Sequence, residues 1–70
     1  MNDNYLPIFT FRGLRFREYK DGIGLQLSHP KTSEWFDTAV LNRKMLEWDY
    51  LELPDIAIWR NREHLGTIKF

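Results

Sequence analysis

Ser33-Glu34-Trp35-Phe36-Asp37-Thr38-Ala39-Val40-Leu41-Asn42-Arg43-Lys44-Met45-Leu46-Glu47-Trp48-Asp49-Tyr50 is the stretch on which the fold turns, because two hydrophobic periods follow one another within it. At about 100° per residue, Trp35, Phe36, Ala39 and Val40 gather into one apolar stripe. Ser33 stands where a helix cap belongs, with Glu34 and Asp37 in the early turns and Arg43 and Lys44 in the last, the charge order a helix dipole favours. The spacing predicts a helix over about 34–44. From Leu46 the period shortens: Leu46, Trp48 and Tyr50 alternate with Glu47 and Asp49, which predicts a strand ended by Pro54-Asp55. One helix running through Tyr50 is the rival reading, but it leaves Leu41, Met45 and Trp48 opposite the main stripe.

Hairpin signals lie on either side. Over residues 8–28, Phe9 and Phe11 alternate with Thr10 and Arg12, Lys20-Asp21-Gly22 supplies turn chemistry, and Ile23, Leu25 and Leu27 resume the alternation. Inward parity changes across Gly13, from Phe9 and Phe11 to Leu14 and Phe16, as one extra residue in a strand would cause, so Gly13 reads as a bulge. Arg12, Arg15 and Arg17 then share the outward face. The second hairpin runs from Ile56-Ala57-Ile58-Trp59-Arg60 through Asn61-Arg62-Glu63-His64 to Leu65-Gly66-Thr67-Ile68-Lys69-Phe70, with Trp59 and Lys69 outside.

The element order is strand, strand, helix, strand, strand, strand, and the fold class is α+β: an antiparallel sheet from two hairpins plus a further strand, with one short helix on one face. A small all-β barrel is the alternative. Strand parity predicts a core of Phe9, Phe11, Leu14, Ile23, Leu25, Leu27, Ile56, Ile58, Ile68 and Phe70, and Trp35 and Trp48 are assigned to packing. At 70 residues the chain suffices for one compact domain over 1–70. It has no cysteine, so neither disulfide nor thiolate site can staple it. Three Trp, three Tyr and five Phe supply large rings for packing instead.

Apolar runs such as Ala39-Val40-Leu41 fall far short of the ~20 residues of a membrane span. Met1-Asn2-Asp3-Asn4 lacks the basic and apolar regions of a secretory signal, and the expectation is a cytoplasmic protein that engages no membrane. Net charge is zero, yet Lys and Arg against Asp and Glu number 5 to 3 over residues 1–31, 2 to 6 over 32–55 and 3 to 1 over 56–70. Binding follows the local field, so a neutral chain can still present a basic sheet face beside an acidic flank.

Reaction motifs are missing. His29 and His64 have no second ligand at metal-site spacing and read as solvated loop residues. Ser28 and His29 are sequence neighbours, which a strand turns to opposite faces. Asp37, Glu47, Asp49, Glu52 and Asp55 read as a solvated acidic face, and Gly22-Ile23-Gly24 lacks the Lys-Ser/Thr closure of a phosphate loop. The chain is therefore read as a non-enzyme without catalytic, cofactor-binding or metal-binding residues.

The strongest constellation is the outward sheet face: Arg12, Arg15, Arg17, Gln26, Trp59 and Lys69. Arg and Trp dominate protein-binding hot spots and also suit phosphate contact and base stacking. Without excess positive charge, a protein partner with an acidic surface is expected ahead of nucleic acid. The leading expectation is a binding module that occludes the surface of a larger protein, as an inhibitor or accessory regulator. The alternatives are sheet-mediated nucleic-acid binding and a structural subunit that pairs as a homodimer through its edge strand.

Overall fold

The computed structural model describes residues 4–70. Six strands form one antiparallel sheet in chain order: β1 (Phe9–Phe11), β2 (Leu14–Glu18), β3 (Leu25–Ser28), β4 (Trp35–Thr38), β5 (Asp55–Arg60) and β6 (Glu63–Lys69). One short helix, α1 (Arg43–Asp49), lies between β4 and β5. The fold is mostly sheet with a minor helix, and its strands follow a simple meander.

Residues 8–28, predicted as two strands, hold three. Arg12 and Gly13 make a two-residue turn with φ of 52° and 83°. Two successive positive φ values are the geometry whose twist matches a right-twisted hairpin, and glycine reaches them without a Cβ clash. Phe11 therefore faces Leu14, and Phe9 faces Phe16. The parity change across Gly13 is the signature of this turn and not of a bulge. Arg12 accordingly sits in the turn, off the sheet face. The bulge in this sheet lies elsewhere: Ile58 pairs with Gly66 but Trp59 with His64, which leaves Leu65 as the extra residue.

The deciding stretch folds in the reverse order to the one predicted. Trp35–Thr38 is strand β4, and the helix begins only at Arg43. Phe36, Thr38 and Val40 turn inward while Trp35, Asp37 and Ala39 turn out, so the four-residue apolar stripe is equally a period-two pattern. Ser33 has φ of 65° and cannot serve as a cap, which needs extended backbone. Asn42 fills that role: it is extended (φ −159°), and its side-chain oxygen accepts the Met45 N–H at 2.8 Å. The predicted strand at Leu46–Tyr50 falls largely within α1, where Leu46 and Tyr50 lie one turn apart on the packed side and Trp48 faces away.

The core comprises Leu14, Phe16, Leu25, Leu27, Phe36, Val40, Leu46, Ile56, Ile58 and Ile68, with Phe9, Phe11, Met45, Tyr50 and Phe70 packed against it. Three assignments from parity and composition fail. Ile23 is 71% exposed in the β2–β3 connection, Trp48 is 84% exposed, and Trp35 is half-buried on the outer face. The sheet is strongly curled, since the Phe70 ring after the last strand meets Phe11 on the first at 5.5 Å between centroids. Helix α1 packs Leu46 into the inner side of that curl, and among the described residues no helix or strand covers the outer side.

Candidate functional site

Antiparallel register places one residue from each of five strands in a row across the outer face. Arg17 stands opposite Gln26, Gln26 opposite Asp37, Asp37 opposite Trp59, and Trp59 opposite His64. Beside them, Arg15 lies opposite Thr10, and Ser28 lies opposite Trp35. Side chains directly opposed across antiparallel strands are close enough to interact, so the row is a physical unit.

Its polar half is tied together. Arg17 Nε donates to Gln26 Oε1 at 2.9 Å, and Gln26 Nε2 donates to the Tyr19 hydroxyl at 3.0 Å and to Asp37 Oδ1 at 3.1 Å. Tyr19 donates its own proton to Asp37 Oδ1 at 3.1 Å. Burial, followed by the Asp37 charge and this hydrogen bond and then by Tyr5, pushes the Tyr19 phenol up to about 12. Tyr19 is thus a donor throughout the neutral range. Its ring occupies the space a side chain at residue 24 would need: a Cβ on Gly24 would meet Tyr19 Cδ2 at 2.5 Å, so only glycine fits there.

Arg17 is the most constrained cation of the face. Its guanidinium carbon lies 3.7 Å from the Tyr5 ring centroid and 4.2 Å from that of Trp35, so aromatic surfaces hold the plane while Gln26 takes Nε. Among the described residues the ion pairs are Arg43–Glu47 and Arg60–Glu34, and neither Arg15 nor Arg17 belongs to one. Arg15 Nη2 makes a long contact of 3.4 Å to the Ser28 hydroxyl. Trp59 is half-buried against His64, with ring centroids 4.7 Å apart.

Of the six residues assigned from sequence, Arg15, Arg17, Gln26 and Trp59 come together on this face. Two do not. Arg12, in the β1–β2 turn, lays its guanidinium over Phe11 and Phe70 at 5.7 and 5.6 Å, at the closing point of the curl. Lys69 faces outward but pairs with Asp55 at the opposite end of β5 from Trp59. Sequence reasoning missed Tyr5, Tyr19, Trp35, Asp37 and His64. The inward series Phe36, Thr38, Val40 was the signal that puts Trp35 and Asp37 outside.

The two histidines weighed for chemistry have structural partners. His29 Nδ1 accepts the Lys31 N–H at 3.1 Å inside the β3–β4 loop, and its ring sits edge-on to Phe36. His64 belongs to β6 and not to the hairpin connection. Among the described residues no group of three or more His, Cys, Asp or Glu gathers into a metal-binding set, and no helix is long and apolar enough to cross a membrane. Compared with protein families, curated proteins and solved structures, the chain matches none.

Proposed function

We propose that this chain is a cytoplasmic, non-enzymatic protein-binding module that occludes an acidic surface of a larger partner, as an inhibitor or accessory regulator, through the outer sheet face. The observation that carries the reading is Arg17: its guanidinium is oriented by Tyr5, Trp35 and Gln26, without an ion pair among the described residues. Among the described residues no hydrogen-bond partner takes either η nitrogen, which leaves both for a ligand, in the fork geometry that takes a carboxylate with two parallel hydrogen bonds. A side chain already held in place loses little entropy on binding, and a half-buried Arg flanked by Trp and Tyr has the composition of a hot spot. Asp37 in the middle of the row opposes a polyphosphate backbone running across it, which favours protein over nucleic acid.

Affinity capture with the intact chain, compared with Arg17→Lys, Arg15→Glu and Trp59→Ala, tests the proposal. A partner retained by the wild type, held about tenfold more weakly by Arg17→Lys and lost by Arg15→Glu combined with Arg17→Lys supports it, because lysine keeps the charge but not the fork. Titration with labelled DNA and RNA should show no tight complex at about 0.15 M salt. A tight complex whose log affinity falls with log salt, at about −0.9 per phosphate neutralised on duplex DNA, assigns the face to nucleic acid and overturns the reading.

A further inference from the structure

A second exposed feature lies on the opposite side of the sheet, on α1. Leu46 anchors that helix in the core, and Trp48, about 200° further round, is 84% exposed. Discarding an indole to water is anomalous where every large ring is needed for burial. Trp48 does not stand alone: Leu41 and Leu51 are exposed, and Met45 is half-buried with its sulfur accepting the Leu41 N–H at 3.5 Å. Met45 and Trp48, three residues apart, share one side of α1, and Leu41, just before the cap, lies against Met45. Beside Trp48 runs an open groove of ≈ 460 Å³ lined by Lys44, Met45, Glu47 and Asp49 among others.

The charges around this apolar patch are ordered. Arg43 already pairs with Glu47, but Lys44, Asp49 and Glu52 belong to no ion pair among the described residues. Lys44 lies one turn before Trp48, whereas Asp49 and Glu52 lie after it. The patch is therefore basic at one end and acidic at the other, with an indole and a groove between. A two-fold axis beside Trp48 matches such a surface to itself, since in an isologous interface each residue i meets j while j meets i.

We propose that α1 is a homodimerisation surface, on which two copies pack their helices antiparallel. The Trp48 indole of each enters the groove of the other, and Lys44 of each meets the Asp49–Glu52 end of its mate. Edge-strand pairing through β6 is not involved. Because α1 and the outer face lie on opposite sides of the sheet, both outer faces stay open, and the dimer is bivalent for anything that face binds. The dimer does not depend on what the outer face recognises.

Sedimentation of the intact chain over a concentration series tests this. The wild type should rise from the 8.5 kDa of one chain towards twice that mass. Trp48→Ala and, separately, Lys44→Glu should raise the dissociation constant at least about tenfold. The combined change Lys44→Glu, Asp49→Lys, Glu52→Lys restores the complementarity across the axis and should recover the dimer. None of these residues is buried, and the reversed charges suit the helix dipole, so thermal melts should stay cooperative. A wild type that sediments as a single copy at about 1 mM overturns the proposal, as does a dimer indifferent to Trp48→Ala. So does a single copy that binds phosphatidylglycerol vesicles with a blue-shifted tryptophan emission, which assigns the patch to a lipid surface.

Discussion

Tyr19 is hydrogen-bonded to both Gln26 and Asp37 in the polar row, and its ionisation gives the outer face a pH signature. Its folded-state value of about 12 lies above the ordinary 10.0, so the native state holds the proton more tightly than the unfolded chain. The resulting stability is fully present below about pH 10 and is lost as pH rises through about 12. Tyr50, raised by burial and then by Asp49, acts in the same direction. Subtracting a Tyr19→Phe variant isolates the Tyr19 share. Urea unfolding at about pH 9 should show the wild type more stable by about 1 kcal/mol, the worth of an ordinary hydrogen bond. That advantage should shrink by about pH 11.5. An advantage constant across this range would mean that the folded state holds the phenol proton no more tightly than the unfolded chain. Arg17, its neighbour through Gln26, shows why residue identity alone under-describes the site: parity locates the cation, but the rings that orient it come from β4 and from the segment before β1.

Elements were legible in proportion to how locally they are determined. The β5–β6 hairpin has a continuous Ile-rich run, and its turn narrows to Asn61 and Arg62, both at positive φ. The Arg12-Gly13 turn leaves the same trace in the parity as a bulge, because both place one extra residue between inward positions. Residues 33–50 were not legible, since Trp35, Phe36, Ala39 and Val40 fit a helix and a strand alike and Leu46, Trp48 and Tyr50 do the same in reverse. Tertiary packing decided between them, and the partners of the outer row were lost with that decision. The test of the assignment is Leu46, fully buried and the one helical residue in the core. Leu46→Ala should destabilise by about 2–5 kcal/mol, and at a concentration where the chain is a single copy the same helix should tolerate Trp48→Ala within about 0.5 kcal/mol. A strand at Leu46–Tyr50 would bury Trp48 together with Leu46, and equal losses from the two variants would restore that reading.

In the whole molecule every strand pairs with its sequence neighbour, so the sheet can assemble by successive local hairpins. Closing the curl is different: Phe70 meets Phe11, Phe16 and Tyr50, joining the two ends of the chain where Arg12 covers Phe11 and Phe70. Such a contact must bear the loop entropy of nearly the full chain unless the intervening strands are already in place. It should therefore form after the rate-limiting step. Phe70→Ala, at a half-buried ring, should cost about 1–2 kcal/mol, less than a fully buried phenylalanine. In a chevron analysis that loss should appear as an unfolding rate raised about 5–30-fold with the folding rate nearly unchanged. Ile58→Ala, in the middle of β5, provides the contrast within the same sheet. If Phe70→Ala slowed folding by the full amount instead, the closure between first and last strands would belong to the nucleus, and assembly by successive hairpins would be wrong.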